Sequence, residues 1–413
     1  MPIEIIQYIT YQHNVQQYFH DHGDKYSGVI IPLSIATSFP TGTYGFVRAL
    51  CARHSGKRYA IDPRTPLFQR TWPRDQARPP HRKMVDILGE PFLSYGLARP
   101  LRPSDFTRDT LTEATRSSLD FQMQFQARVE DVRKLKKYKQ LLGLDETGDM
   151  AELGNPQFLI PPYFLFEHHG DDWYKISLDC LREAVSVGYP VPIRPVVHFG
   201  TWPNEPELRA IMADVHGLGI KSLWVYPDNF KEHDGEAKGL TRYRISVAAA
   251  RQSEVDMYVL FGGYYGILMH YCGLRGFSNG IGYGEWRHSG YHRGGTAMNR
   301  IYVPKLHRYL DPPVAQSIVA QDPDYFASDS ELLSECIAVG RELSDVPLGE
   351  CLNHFMECRF AEMQFVVSHP IEDAAQELDE TVRRLAGVGP LESEHYGLSL
   401  ARWATELRRI PRP

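Results

Sequence analysis

Short apolar, β-branched or aromatic runs alternate with helical patterns along this chain. Strand candidates fall at 28–36 (GVIIPLSIA), 58–62 (RYAID), 158–166 (FLIPPYFLF), 193–200 (IRPVVHFG), 222–226 (SLWVY), 257–262 (MYVLFG), 276–281 (GFSNGI) and 300–304 (RIYVP). Between many of them, at 173–187, 205–218 and 243–253, apolar residues recur every three or four positions, as on one face of a helix. Regular strand–helix–strand alternation predicts parallel strands joined by crossover helices. Eight candidates predict an α/β fold, a (β/α)8 TIM-like barrel. The competing open doubly wound sheet lacks its glycine-rich GxGxxG turn.

Residues 79–155 are too many for one β-to-α connection. They predict an insertion after the second strand, with a helix at 105–142 and a basic run, RKLKKYK, at 133–139. After about residue 321 the pattern is wholly helical, at 331–341, 349–367, 371–385 and 393–409. The expected organisation is a barrel over 1–320 and a C-terminal helical layer over 321–413, packed on the barrel.

With 413 residues, 43% hydrophobic and 23% charged, the chain can bury a large core. The net charge of −6 gives no bulk signature of nucleic-acid binding, although a local basic face stays open. No run is long and apolar enough to span a bilayer, and MPIEIIQYITYQHNVQQ has no basic stretch before an apolar core. Six scattered cysteines suit reduced thiols. A cytoplasmic protein with no membrane partner is expected.

In such barrels the chemistry sits at the C-terminal ends of the strands. Those ends supply Asp62, then Glu167, His168 and His169, then His198, then Asp228 and Asn229. Next come Gly262, Gly263, Tyr264, Tyr265 and Gly266, and finally Ser278, Asn279 and Glu285. Any one of them is more often a cap or a loop residue; convergence on one rim favours function. In GGYYG, paired glycines would let a ligand approach the backbone and the tyrosines would offer stacking faces; a tight turn into the next helix is the competing reading. Arg287, His288, His292, Arg293, Arg300, Lys305 and Arg308 fall near the last two strands, where barrels often hold phosphate, and a solvated basic loop competes with that.

EHHGDD at 167–172 reads as a solvated loop rather than a metal site. Cys336, Cys351, Cys358 and His369 have the wrong spacing for a compact zinc site. Cys351 and Cys358, seven apart, share a helical face and read as buried thiols. No metal and no cofactor is expected. Walker, HExxH and CxxC motifs are absent from the sequence.

Taken in order, these landmarks resemble the tRNA-guanine transglycosylase superfamily, whose members exchange an encoded guanine for a 7-deazaguanine. The likeness runs over about residues 27–385. VIIPLSIATSFPTGTYGFVRAL is similar to the family's first strand and turn. AIDPRTPLFQ stands where the family has an LDSGGFQ-type segment, which puts Asp62 at the general base. PVVHFGTWPNEPELR resembles the GIVQGG-type strand, with His198 at the base-recognising glutamine, and YVLFGGYYG the LMGVG turn. CGLRGFSNGIGYGEWRHSGYHRGGTAM resembles the segment carrying the family's nucleophilic aspartate. Here Phe277 is followed by Ser278 and Asn279, and the acid expected after strand three is displaced by Pro161 and Pro162, with Glu167 nearest. The CxCxxC zinc motif is missing.

The resemblance implies a remodelled relative of the kind found in anti-phage operons, including type IV CBASS, beside 7-deazaguanine synthesis enzymes, and working as a homodimer. As an enzyme it would act on a guanine or 7-deazaguanine base in tRNA, DNA or a nucleotide. Asp62 would be its acid/base, with Ser278, Asn279 or Glu285 near the reacting atoms. Tyr264 or Tyr265 would stack on the base, Gly262 and Gly263 would line it, and His198 and Asp228 would bond its edges. Arg287, His288, Arg293, Arg300, Lys305 and Arg308 would grip phosphate. Alternatively the barrel keeps the base pocket without the chemistry and recognises a modified base, a nucleotide or a partner protein carrying one. A third reading is an unrelated barrel enzyme, which would want a strand-end lysine or a metal-binding acid pair.

Overall fold

The computed structural model describes residues 4–12, 16–54, 56–70, 79–125, 154–282, 284–285, 287–289, 299–386 and 391–411. Eight parallel strands make one curled sheet: β1 (Ile6–Thr10), β2 (Gly28–Pro32), β3 (Arg58–Asp62), β4 (Leu165–Phe166), β5 (Val196–Phe199), β6 (Ser222–Pro227), β7 (Asp256–Leu260) and β8 (Gly276–Asn279). Their hydrogen-bonded order is β3-β2-β1-β8-β7-β6-β5-β4. That is chain order wrapped round a ring, with β1 beside β8 and the ladder interrupted only between β3 and β4.

Proline explains the interruption. Pro161 and Pro162 split the strand predicted at 158–166, because neither can donate to a ladder. The chain still bridges the gap: Gln157 N–H donates to Tyr59 O at 2.8 Å, and Leu159 forms a parallel bridge with Ile193. Above the prolines the Gln69 side chain substitutes for a strand, donating to Leu165 O (2.8 Å) and accepting from Leu165 N–H (2.6 Å).

Two strand assignments change. β1, from IQYIT, was not among the candidates, and it opens the ring. The run at 300–304 is not the eighth barrel strand. It becomes β9 (Ile301–Val303), paired antiparallel with β10 (Arg308–Leu310) in a separate ribbon. The insertion therefore follows the third strand. Its helix is Arg108–Met123, capped by Thr107, whose hydroxyl accepts from Thr110 N–H. The basic run at 133–139 and the rest of that predicted helix lie outside the described residues. The strand predicted at 28–36 stops at Pro32, and Leu33–Ser38 is helical.

Crossover helices begin where capping residues stand. Asp171 caps Asp172–Val187, which ends at Gly188 in the left-handed region, and Asn204 with Glu207 forms a capping box on Glu205–Gly217. The C-terminal helices Leu348–Ser368, Ile371–Ala386 and Leu391–Arg408 pack on the outside of the barrel. Leu378, Leu385 and Trp403 share one hydrophobic cluster with Leu223, Val225 and Val259, on the outward rows of β6 and β7.

The inward rows make a separate core. Tyr8, Ile30, Ala60, Val196, Trp224, Tyr226, Tyr258 and Leu260 pack together with Phe158 and Ile160. Side chains alternate along a strand, so the next inward positions after Ala60, Val196 and Tyr226 are Asp62, His198 and Asp228. Three apolar rows thus end in polar groups at the same mouth.

Candidate site at the barrel mouth

Asp62 closes β3 and is 1% exposed. Its Oδ1 accepts from Arg64 N–H (3.0 Å) and from the Tyr163 hydroxyl (2.8 Å), and Arg64 Nε donates to Oδ2 (3.3 Å). The first of these bonds is the Asx type that follows from an aspartate two residues ahead, and it holds Arg64 at φ 51°. Burial, and then the Asp62 charge, push the Tyr163 hydroxyl well above its ordinary pKa, so it remains a donor.

Across the mouth, Asp228 follows β6. Its Oδ1 accepts from Ser289 N–H (2.6 Å) and lies 3.3 Å from His198 Nε2; its Oδ2 lies 2.7 Å from His288 Nδ1 and 3.3 Å from Arg70 Nη2. Burial alone would raise this carboxyl, but the bonds from His198 and Ser289 outweigh it and hold Asp228 below the usual carboxylate range. Burial lowers the His198 pKa, which keeps the ring neutral. A carboxylate only accepts, so Nε2 carries the His198 proton and Nδ1 is a bare acceptor. The ring stacks on Tyr226 with centroids 4.0 Å apart and planes 8° from parallel.

A small cavity of about 10 Å³ opens here, lined by Arg64, Tyr163, Tyr226, Phe261, Arg287 and Ser289 among others. Three buried polar atoms of the mouth lack a hydrogen-bond partner among the described residues: Arg64 Nη2, His198 Nδ1 and the Tyr226 hydroxyl. Groups like these are open to a hydrogen-bonding partner at the mouth. Outside the mouth lies a wider groove of about 740 Å³ between the loops after β5 and β6, lined by Trp202, Asn229, Phe230, Lys231, Glu236 and His288 among others. One extended segment divides the two, with Arg287 and Ser289 facing the inner cavity and His288 the outer groove. Asn229 N–H donates to Arg287 O at 2.8 Å and ties that segment down.

Asp62, His198, Asp228, Arg287 and His288 thus gather at one end of the barrel. Other candidates go elsewhere. Tyr264 and Tyr265 begin the short helix Tyr264–Leu268, which runs outside the ring, so neither reaches the mouth. Tyr264 stacks on His307 (3.4 Å), and the buried Tyr265 donates to Leu240 O (3.1 Å) beside Trp403. Gly262 and Gly263 serve packing there: a Cβ on Gly262 would lie 2.8 Å from Val259 Cγ1, and one on Gly263 2.8 Å from Glu232 Oε2.

Asn279 sits on an outward row and accepts from Gln7 Nε2 at 2.9 Å, away from the cavity. Ser278 is inward but fully buried, its hydroxyl accepting from Phe261 N–H (3.3 Å). Glu285 turns to the C-terminal layer, where it pairs with Arg359. Arg359, fully buried, also meets Glu362 at 2.9 Å, which in turn accepts from the Tyr302 hydroxyl (2.7 Å) and lies 2.7 Å from His307. Burial pushes both Glu285 and its neighbour Glu232 up to about 7.

The phosphate candidates divide in the same way. Lys305 pairs with Asp329 and Glu377, Arg300 with Asp311, and Arg308 lies over the Tyr396 ring, all in the outer layer. They follow the β9–β10 ribbon, which is not part of the ring, and this removes them from the mouth. His292 and Arg293 lie outside the described residues. Glu167 stands at the rim near Gly200, and His169 bonds Asp214 (2.9 Å). Among the described residues no group of three or more His, Cys, Asp or Glu is placed to hold a metal. Cys351 and Cys358 are buried, and His369 stacks on Phe365.

Sequence reading missed Arg64, Arg70, Tyr163, Tyr226, Phe261 and Ser289. Tyr226 and Phe261 had a readable signal, since both end strands just before the polar rim. Tyr163 was concealed behind two prolines inside a strand candidate.

Eight parallel strands in ring order, with polar groups at their C-terminal ends, define a TIM-like (β/α)8 protein with helices added at the C-terminus. Compared by sequence, the chain matches no family model and no curated protein. Among solved structures it is similar to a protein described as a fructose-1,6-biphosphate aldolase from Coccidioides immitis, with TM-score 0.34, 9% identity and 92% of each chain covered. It is also similar to the carboxyl transferase domain of Rhizobium etli pyruvate carboxylase, solved with pyruvate and biocytin, with TM-score 0.34, 8% identity, and 98% of this chain and 61% of the other covered. The fold assignment rests on the strand order, and these neighbours carry no chemistry over to this chain. No helix among the described residues is long and apolar enough to cross a membrane.

Proposed function

We propose that the barrel mouth binds a guanine-class base, guanine or a 7-deazaguanine, free or within a nucleotide, tRNA or DNA. Recognition without exchange chemistry is the reading that the geometry supports best. The observation that carries it is the set of unpartnered buried atoms, Arg64 Nη2, His198 Nδ1 and the Tyr226 hydroxyl, beside the flat faces of Tyr226, Tyr163 and Phe261. Flat faces with edge-on donors and an acceptor suit a planar heterocycle. Asp62 would hold the donors in place, and Asp228 would fix the proton on His198 Nε2, leaving Nδ1 to accept from a ring N–H.

Transglycosylation needs a nucleophile at the sugar. Ser278 is sealed under Phe261, Asn279 faces outward and Glu285 is bound to Arg359, which leaves that role empty among the described residues. The enzyme reading keeps one support, the buried Asp62 carboxylate at the mouth. In the wider setting implied by the resemblance, the protein is a cytoplasmic homodimer that senses a modified base in anti-phage defence beside its operon partners.

Calorimetry with guanine, 7-deazaguanine and adenine, together with labelled-base incorporation into tRNA and DNA, tests this. Binding of the first two at least tenfold tighter than adenine, without incorporation, is expected, and Tyr226→Ala should abolish it. Incorporation of label would hand the site to the enzyme reading. Equal binding of adenine would refute guanine recognition.

A further inference from the structure

The outer groove is the roomier of the two spaces at the mouth, about 740 Å³, within the range of roughly 300–1,000 Å³ that small-molecule sites occupy. One of its walls is the first turn of the helix Ala237–Gln252, through Glu236, Lys238, Gly239 and, a turn later, Arg242. Gly239 lets this wall pack closely on its neighbour, since a Cβ there would stand 3.0 Å from the Phe230 ring. Glu236 stands at the N-cap and makes no side-chain bond to the helix, so the opening amides are left without the usual side-chain acceptor.

The charges of the groove can be sorted by partner. Asp228 is taken by Arg70 and His288, and Asp234 lies 3.5 Å from both Lys231 Nζ and His395 Nε2. Lys238 has no ion pair among the described residues. Arg242 gives one donor, Nη1, to Trp202 O at 2.9 Å, which fixes its fork at the wall, and it has no carboxylate partner among the described residues either. Against these two cations stands one acid without an ion pair, the exposed Glu236. Trp202 supplies an independent sign. It is 3% exposed, lines the same groove and stacks on Tyr243 with centroids 4.3 Å apart, and its indole Nε1 has no hydrogen-bond partner among the described residues. Indole, guanidinium, ammonium and helix amides are all donors only. A space ringed by open donors suits an occupant made of acceptors.

We propose that the outer groove is a phosphate site: it takes the phosphate of a small phosphomonoester against the first turn of Ala237–Gln252, with Lys238 and Arg242 closing on its oxygens. A helix N-terminus presents amides and the positive end of its dipole to an anion, and the arginine fork meets two oxygens at once. A phosphomonoester carries close to two negative charges at neutral pH and presents strong acceptor oxygens. The site is separate from the base-binding reading and stands beside it.

Calorimetry at pH 7.5 with ribose 5-phosphate, ribose, GMP and guanine tests this. Ribose 5-phosphate should bind and ribose should not, and inorganic phosphate should displace the former. Loss of a charge-assisted bond should weaken binding roughly tenfold, so Lys238→Glu and Arg242→Gln should each lower ribose 5-phosphate affinity by that factor or more, and Lys238→Arg should retain it. Lys238 is exposed, so its variants should keep the wild-type melting temperature to within about 2 °C, which certifies the fold. GMP binding more tightly than ribose 5-phosphate makes the occupant a nucleotide, and GMP binding no more tightly makes it a sugar phosphate; either upholds the site. Ribose 5-phosphate binding no better than ribose, or binding that Lys238→Glu and Arg242→Gln leave untouched, overturns it. Guanine reports on the base reading alone. If guanine binds while ribose 5-phosphate does not, base recognition stands without the phosphate site, and the reverse result leaves the phosphate site without base recognition.

Discussion

Glu232 offers a clean test of the buried electrostatics that support the mouth from behind. It is 5% exposed, accepts from Gly266 N–H at 3.1 Å and forms no ion pair among the described residues. Burial lifts its carboxyl from 4.5 to about 7, against the opposing pull of the Gly263 and Gly266 amides and of Arg359. Each pKa unit is worth about 1.4 kcal/mol, so keeping this group ionised in the fold costs roughly 3 kcal/mol. The sign follows from proton binding. Between pH 4.5 and 7 the native protein holds a proton that the unfolded chain has released, so this contribution is complete below about 4.5 and is lost as pH rises through 7. Glu232→Gln keeps the acceptor oxygen and removes the titration. Wild type should therefore lose roughly 2.5 kcal/mol relative to the variant between pH 5 and pH 8. Because Glu232 also raises the Glu285 carboxyl, relief there adds in the same direction. Urea unfolding of both proteins at pH 5.0, 6.5 and 8.0 measures the difference. A gap that stays constant with pH, or that favours wild type at pH 8, would refute the reasoning.

Two further outcomes are expected. Asp228→Asn should destabilise the protein by about 1–3 kcal/mol at pH 7, since a charged acceptor for Ser289, His288 and Arg70 is lost. The native Asp228 pKa is depressed, so this gap should hold above about pH 4, the unfolded value, and narrow as pH falls below it, which melting curves at pH 7, 5 and 3.5 would record. Tyr265→Ala, at a fully buried position, should cost about 3–5 kcal/mol in urea titration while leaving base binding at the mouth unchanged; loss of binding in a folded variant would return Tyr265 to the site.

What the sequence made legible follows from where the information is local. RYAID, PVVHF and WVYPD each carry a polar residue at or beside the end of a strand, and the pleat alone brings Asp62, His198 and Asp228 to one mouth. The misreadings arise where a strand's partner is not written in the strand itself. RIYVP is as good a strand as any other, but its partner is the run 308–310 a few residues on, so it forms a ribbon and leaves the ring. IQYIT is short, and nothing local says that it must sit between β2 and β8. The fate of GGYYG was decided by a tertiary contact: Gly263 makes room for Glu232, and the helix that follows carries both tyrosines away from the mouth. Arg359, fully buried in a helix, has no signature in the sequence because its three partners come from 285, 302 and 362.

A two-residue step in the loop after β8 joins these two electrostatic systems. Glu285 turns outward to Arg359 on the helix Leu348–Ser368, while Arg287 turns inward to the cavity beside Arg64. The outer system holds its charges within the fold: Arg359 meets Glu285 and Glu362, and Glu362 meets His307. The inner one does not: among the described residues no carboxylate pairs with Arg287. A loop fastened at 285 by a buried ion pair and at 287 by the Asn229 bond has little freedom to withdraw that charge into solvent. The C-terminal helical layer thus helps to fix where the Arg287 cation stands, and a barrel without that layer would keep Asp62, His198 and the Asn229 bond and lose one of the two fastenings of the loop that carries Arg287.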